Sequence, residues 1–157
     1  MGETGEARVG DTIHRDGFGE FTIVGPVSDR PYRVLVTGSR DWEDRAAIDD
    51  FLTSLAAANV FHNRTTVVVH GACPTGADAI ADDWARYHAA RSPLVEFERH
   101  PANWSLNGKR AGFIRNARMV NLGADLCLAF IRNGSRGASH TAALAEQAGI
   151  PVRRFTA

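Results

Sequence analysis

The chain of 157 residues is short of the features that mark several classes of protein. Its two cysteines, Cys73 and Cys127, are too few for a disulfide framework. No apolar run approaches the roughly 18 residues that a transmembrane helix needs, and the N-terminus has no apolar signal core. The formal net charge is zero, so a general attraction to nucleic acid is not indicated. These absences predict a soluble, cytoplasmic globular protein.

Two common kinds of ligand-binding motif are also absent. The six histidines do not show the paired spacing of a zinc site, so we expect no metal. The segment Gly108-Lys109-Arg110 opens a predicted helix and offers positive charge, but it lacks the upstream glycine of a Walker loop. We therefore expect no resident cofactor.

The pattern of the chain changes near residue 30. Residues 1–30 are predicted to form an extension with a β-hairpin, because two short apolar segments flank the turn dipeptide Asp16-Gly17. Residues 31–157 alternate short apolar runs with amphipathic segments, which predicts an α/β domain of three layers around a mainly parallel sheet. The predicted strands are 32–37, 65–70, 94–97, 125–131 and 152–155.

Helical patterns lie between these strands. Asp41 is the predicted cap of the first helix, which carries Ile48, Phe51, Leu52 and Leu55 on one face. The next helices are predicted at 77–90, with Ile80, Trp84 and Tyr87 in register, and at 108–122, with Ile114, Ala117 and Val120 toward the core. The last is predicted at 138–148, ended by Gly149 and Pro151. Residues 101–107 are predicted to be a loop.

Three glycine-bearing turns each follow an apolar run and precede a helical pattern. A strand, a glycine turn and a helix N-terminus together form an anion site, because backbone N–H groups point outward and glycine lets a ligand approach. In a parallel sheet all three turns lie along the edge where ligands bind. The pattern predicts binding of phosphate-bearing small molecules. The turns are Gly38-Ser39-Arg40, Gly71 to Gly76, and Gly134-Ser135-Arg136-Gly137.

Four motifs in order resemble the SLOG superfamily, and most closely its YspA, cpYpsA-related branch. The resemblance covers about residues 32–157 and implies a Rossmann-like sheet whose glycine turns bind nucleotides or nucleotide-derived molecules. Members include the Lonely Guy phosphoribohydrolases and the Smf/DprA DNA-processing proteins, and relatives are often homodimers. The motifs are Thr37-Gly-Ser-Arg40-Asp-Trp42, His70-Gly-x4-Gly76-Ala-Asp78, Ile114-Arg115-Asn116-x2-Met119 and Gly134-Ser-Arg-Gly137-x2-His140-Thr141.

These motifs supply the candidate ligand-binding residues. Ser39 can donate to a phosphate oxygen, and Arg40 can bind one bidentately. Asp78 either favours its helix dipole or binds a hydroxyl group. Trp42 and Trp104 are candidates for stacking on a base, or else they pack against the sheet edge. The full set is Gly38, Ser39, Arg40, Gly71, Gly76, Asp78, Arg115, Asn116, Gly134, Ser135, Arg136, Gly137, His140 and Thr141.

One departure from the Lonely Guy pattern bears on function. Those enzymes carry a glutamate after the third glycine turn, which takes part in cleaving the N-glycosidic bond. This chain has His140 and Thr141 there, and Glu146 follows about one and a half helical turns later. Arg115 occupies the place of the family's binding and catalytic arginine.

Three functions remain open from the sequence. The first is binding of a nucleotide or nucleotide derivative as a sensor, carrier or sequestering protein, which the missing carboxylate favours. The second is N-glycosidic hydrolysis of a nucleoside monophosphate, with Arg115 and His140 as the catalytic pair. The third is binding of single-stranded DNA, as in Smf/DprA proteins, against which the zero net charge argues.

Overall fold

The computed structural model describes residues 12–15, 19–22 and 29–157. Strands β1 (Thr12–Arg15) and β2 (Gly19–Thr22) pair antiparallel, in the arrangement expected of the predicted hairpin. The predicted turn at Asp16-Gly17 lies outside the described residues. The division of the chain into an extension and a separate domain stays a prediction.

The rest of the chain alternates strands and helices, and it contains one parallel five-stranded sheet. Among the described helices, none is long and apolar enough to cross a lipid bilayer. The elements are β3 (Tyr32–Gly38), α1 (Arg45–Phe61), β4 (Thr66–His70), α2 (Gly76–Ala89), β5 (Val95–Arg99), α3 (Trp104–Asn107), a 3-10 turn (Gly108–Arg110), α4 (Ala111–Asn121), β6 (Leu126–Ile131), α5 (Arg136–Gln147) and β7 (Val152–Thr156).

The order of strands in the sheet is β5-β4-β3-β6-β7, and every neighbouring pair is parallel. This confirms the predicted Rossmann-like α/β fold. The chain runs outward from β3 to one edge of the sheet, then crosses to β6 and runs outward to the other edge. Such a reversal between β3 and β6 opens a crevice beyond the carboxyl ends of these two strands, where open α/β sheets bind their ligands.

Two hydrophobic layers fix the helices on opposite faces of the sheet. On one face, α1 and α2 bury Ile48, Leu52 and Trp84 against alternate residues of β3 and β6. On the other face, Met119 of α4 and Ala145 of α5 pack against the remaining strand residues. Since every second strand residue points to the same face, the continuous apolar runs of β3, β4 and β6 serve both layers.

The start of α1 differs from the prediction. Asp44 caps the helix, its carboxylate accepting a hydrogen bond from the Ala47 N–H at 3.1 Å, whereas Asp41 lies in the preceding loop. The glycine turn at residues 38–40 therefore does not open the helix directly, because residues 41–44 intervene. Gly149 ends α5 as predicted, with a φ of 78°.

The region before β6 also differs. Residues 104–107 form α3 in place of the predicted loop, with the Asn103 side chain accepting from the Leu106 N–H. Ile114 is 44% exposed, because α4 faces the core through Met119 and Val120; of the predicted stripe, only Val120 is buried. Tyr87 near the end of α2 is likewise exposed, where its ring contacts Arg91 instead of the core.

Candidate functional site

A cleft of about 350 Å³ opens at the carboxyl ends of β3 and β6, where the strand order reverses. The end of β3, the segment from α3 to α4 and the start of α5 supply its walls. Seven of the predicted site residues line it: Gly38, Arg40, Trp104, Arg115, Asn116, Ser135 and Gly137. Six further lining residues were not among the candidates: Thr37, Cys73, Lys109, Gly112, Phe113 and Ala138.

The charge of the cleft has one sign. Its titratable cations are Arg40, Lys109 and Arg115, and none of the described residues that line it is an aspartate or glutamate. Nor does any of the three form an ion pair with a carboxylate in the part of the chain that the structure describes. The guanidinium of Arg40 instead lies 5.8 Å from the centroid of the Trp104 ring. The cleft is therefore electropositive.

Ser39 does not face this cleft, contrary to its predicted role as a phosphate donor. Its side chain is buried, and its hydroxyl donates to the Arg132 carbonyl at 3.1 Å and accepts from the Arg132 N–H at 2.7 Å. The Ser39 N–H also donates to the Phe130 carbonyl. Ser39 thus joins the loop after β3 to the loop after β6, which fixes the two sides of the crevice relative to each other.

The second glycine turn is used for packing, not for an open anion site. Gly76 has a φ of 72°, and a Cβ there would collide with the Ser39 carbonyl oxygen. That oxygen accepts a hydrogen bond from the Ala77 N–H at 3.2 Å, so the start of α2 is occupied by the first turn. Asp78 is buried, and its carboxylate lies 3.3 Å from the Cys73 nitrogen, from which it accepts a hydrogen bond. Gly76 and Asp78 are therefore not part of the cleft lining.

Arg115 lies at the back of the cleft and connects three segments. Its Nη1 donates to the carbonyl oxygens of Gly71 and His100, and its Nε donates to Asn116 Oδ1 at 2.7 Å. Its Nη2 lies 3.8 Å from the Cys73 sulfur. A side chain on Gly71 would collide with this guanidinium, which explains the glycine there. The arginine holds the loops after β4 and β5 against α4.

Cys73 is the nucleophilic side chain of the cleft wall. Burial and the nearby Asp78 carboxylate raise the pKa of its thiol, and Arg115 opposes this shift. A raised pKa leaves the thiol mostly protonated near neutral pH, so it is a poor nucleophile. The geometry thus indicates that Cys73 is a small residue that fills a turn.

The two candidate tryptophans have different environments. Trp42 is 5% exposed, with its ring 5.3 Å from that of Phe130 and its Nε1 donating to the Asp44 carbonyl. It is a core residue, so the structure contradicts a stacking role for it. Trp104 is 51% exposed and lines the cleft, as does the half-exposed Phe113.

The third glycine turn leads directly into α5. The first N–H groups of a helix have no intrahelical acceptor, and here the Ser135 side chain does not cap them. The N–H groups of the first turn of α5, which include those of Gly137 and Ala138, are therefore without a side-chain cap. Thr141 is buried and donates to the Gly137 carbonyl, which contradicts a ligand contact for it. Gly134 and Arg136 are exposed outside the cleft lining.

His140 and Glu146 occupy different ends of α5. His140 is exposed outside the cleft lining and meets Phe113 edge-on, with ring centroids 5.0 Å apart. Glu146, in the last turn of α5, forms an ion pair with Arg154 of β7. The carboxylate of Glu146 is thus at the far end of the helix from the cleft. Among the described residues, no group of histidine, cysteine and acidic side chains is arranged to hold a metal ion.

Comparison with known proteins shows which family the chain belongs to. The model of the YspA, cpYpsA-related SLOG family matches residues 32–106. The chain belongs to this family. Among curated proteins, the Gene 61 protein of Mycobacterium phage D29 is 46% identical over 125 residues, which are 78% of this chain and 95% of the phage protein.

One solved structure is similar to this SLOG protein. The Moco carrier protein from Chlamydomonas reinhardtii shares 15% identity, with a TM-score of 0.48 over 82% of this chain and 78% of that chain. The SLOG family match itself ends at residue 106, before α4, β6 and α5. These elements contribute Arg115, Ser135 and Gly137 to the cleft, so much of its lining lies beyond the matched segment.

Proposed function

We propose that this SLOG protein binds a nucleotide or nucleotide-derived anion in the cleft between β3 and β6, as a sensor, carrier or sequestering protein. The observation that carries the proposal is the charge of the cleft: three cationic side chains and no carboxylate among its described lining residues. An anionic ligand gains most from such a wall, because cations without a carboxylate partner lose no internal ion pair when they bind it.

The phosphate of the ligand is assigned to the region between Arg40, Lys109 and the start of α5. Ser135, Gly137 and Ala138 line the cleft, so the helix presents its N-terminal end there. The N–H groups and dipole of a helix start favour an anion, and Gly137 lets it approach closely. Arg40 and Lys109 are both exposed and can close on the phosphate from the opposite walls.

The base is assigned to the aromatic part of the cleft. Trp104 and Phe113 both line the cleft and expose about half of their surface, so their rings are accessible to a base. A base that stacks on Trp104 would replace the loose contact of the ring with Arg40. A volume of about 350 Å³ is within the range of small-molecule sites.

The lack of a carboxylate among the described residues that line the cleft favours binding over N-glycosidic hydrolysis. Hydrolysis needs a carboxylate that stabilises an oxocarbenium-like state or activates water. His140 lies beside Phe113 and is the remaining general-base candidate, while Glu146 is committed to Arg154. Incubation with nucleoside monophosphates, followed by mass spectrometry, tests this directly. Intact ligand is expected, and release of free base that depends on His140 would establish the hydrolase instead.

The binding proposal is tested by titration calorimetry with the four 5′-mononucleotides and their nucleosides. A nucleotide is expected to bind, and its nucleoside at least tenfold more weakly. Arg40→Ala and Lys109→Ala are each expected to weaken nucleotide binding by about 1.5 kcal/mol, or roughly tenfold, the lower end for hydrogen bonds to charged groups. Arg110→Ala is the matched control, because Arg110 is exposed next to Lys109 but outside the cleft lining.

Arg115 is a less suitable probe of the proposal. Its substitution removes the hydrogen bonds to Gly71 and His100 together with the charge, so a lost affinity would not separate binding from the collapse of the wall. The proposal fails if no nucleotide binds, or if the control weakens binding as much as the two cleft variants do. The homodimer implied by the family stays a prediction for sedimentation measurements.

A further inference from the structure

A second cleft lies on the other side of α4. Its volume is about 360 Å³, and it is formed by the loop after β5, α3 and the outer face of α4. Its polar lining includes Arg99, His100, Asn107 and Arg118, and Arg115 is shared with the first cleft. None of the described residues that line it is acidic.

The sequence of α4 and the turn before it explains how one helix serves two clefts. The first cleft is lined by positions 109, 112, 113 and 116, and the second by positions 111, 114, 115 and 118. Both sets follow the i, i+3, i+4, i+7 spacing, which places each set along one side of a helix. The helix is thus a ridge between the two clefts.

The side chain of Arg115 crosses this ridge. Its Nη1 lies 3.2 Å from the carbonyl oxygen of His100, which lines the second cleft, and its Nη2 lies 3.8 Å from the sulfur of Cys73, which lines the first. A guanidinium carries five N–H donors. The contacts to Asn116, Gly71, His100 and Cys73 use four of them, so one N–H of Nη2 has no partner among the described residues.

The second cleft is positively charged, and this charge is partly compensated, because His100 Nε2 lies 2.8 Å from Glu98 Oε1. Residues 99–124 contain five lysines and arginines and no aspartate or glutamate. Arg118 is exposed and forms no ion pair with any described carboxylate, whereas Arg99 lies 3.4 Å from Asp82. Phosphates are the anions that clustered arginines recognise best.

We propose that the two clefts together bind one ligand that consists of two nucleotide units joined through phosphate. The linking phosphate lies at Arg115 on the ridge, one unit occupies the first cleft, and the phosphate of the second unit pairs with Arg118. This inference rests on the proposed function, because it extends the same site. It assigns the protein a dinucleotide, or the end of an oligonucleotide, in place of a mononucleotide.

The test compares three probes by calorimetry: the 5′-mononucleotide that binds best, the dinucleotide of the same base with phosphates at both its 5′ and 3′ ends, and the dinucleoside 5′,5′-triphosphate of that base. Each two-unit probe carries one phosphate for Arg40 and Lys109, one for Arg115 and one for Arg118. At least one of them is expected to bind tenfold or more tightly than the mononucleotide. The tighter of the two identifies a phosphodiester or a phosphoanhydride linkage. Arg118→Ala is expected to abolish most of this gain while leaving mononucleotide affinity within twofold, and Arg110→Ala is expected to preserve the gain.

Each outcome separates this inference from the proposed function. If the mononucleotide binds and neither two-unit probe binds more tightly, the inference is wrong and the proposed function stands. If Arg118→Ala weakens the mononucleotide and the two-unit probes equally, Arg118 does not contact a second unit and the inference is again wrong. If none of the probes binds, the proposed function itself fails.

Discussion

Replacement of Ser39 by alanine tests whether this residue organises the crevice or binds the ligand. Ser39 is 2% exposed, and its hydroxyl makes two hydrogen bonds with the backbone of Arg132, at 3.1 and 2.7 Å. Alanine removes the hydroxyl, so the Arg132 N–H loses this acceptor and the Arg132 carbonyl keeps only its hydrogen bond from the Ser135 N–H. The crevice thus loses two of the hydrogen bonds between its two sides, while those from Arg132 and Asn133 to Asp41 remain.

The expected loss of stability follows from these two bonds. Each contributes about 1 kcal/mol net, so the free energy of unfolding should fall by about 2 kcal/mol. For a chain of this size, that corresponds to a fall of about 4–8 °C in Tm. Urea unfolding monitored by circular dichroism measures the first quantity, and calorimetry measures the second. Ser54→Ala on the exposed surface of α1 is the matched control, with an expected change below 0.5 kcal/mol.

The result also separates the two roles of Ser39. If Ser39 binds phosphate, the variant should lose nucleotide affinity and keep the stability of the control. If Ser39 joins the two loops, the free energy of unfolding falls whether or not ligand is present. A variant as stable as Ser54→Ala would refute the structural role argued here.

Two further predictions concern titratable groups. Cys127 is fully buried, and burial raises its pKa to about 12, so iodoacetamide should modify it only after unfolding. The raised pKa of Cys73 should make its modification slow, and bound nucleotide should protect it. Peptide mass spectrometry measures the modification of both cysteines. The pKa of His70 is lowered, chiefly by burial, and its Nδ1 accepts a hydrogen bond from the Ala72 N–H at 3.1 Å. Below about pH 6.5 the unfolded chain therefore takes up a proton at this histidine that the folded protein does not. The free energy of unfolding should therefore fall between pH 7.5 and 5.5, and it should fall less in His70→Asn; an unchanged slope in that variant would contradict the assignment.

The fold could be predicted because its signals are local and repeated. Apolar runs such as 67–69 in β4 show no polar alternation, which indicates strands covered on both faces. The intervening helical periodicities then favour a parallel sheet. The errors occur where tertiary contacts decide between similar local signals. Asp41 and Asp44 can both cap a helix, and the chain uses Asp44 because Asp41 is held by Asn133 and Arg132 of the loop after β6.

The residues that line the cleft are only partly those that the motifs named, and whether they bind a ligand stays a prediction. A one-dimensional pattern does not show which side chain of a loop points inward. Ser39 and Arg40 are adjacent, yet one is buried against β6 and the other lines the cleft. Lys109 and Phe113 lie outside the glycine turns, and their helical spacing of four was the one signal that placed them on the same wall.

The net charge of zero is the sequence property whose meaning changes most in three dimensions. Residues 41–98 contain ten acidic side chains against four lysines and arginines, whereas residues 99–124 contain five basic side chains and no acidic one. At physiological ionic strength, salt largely screens the interaction between exposed charges that are more than about 8 Å apart. Acidic side chains beyond that distance therefore do not cancel a local basic surface. The two clefts on either side of α4 therefore present a positive field to a ligand although the whole chain is neutral. For this reason the total charge is a weak argument against a phosphate-linked ligand. The salt dependence of binding is a more direct test. Arg118→Ala should reduce the slope of log K against log salt concentration for a two-unit probe, and Arg110→Ala should leave that slope unchanged.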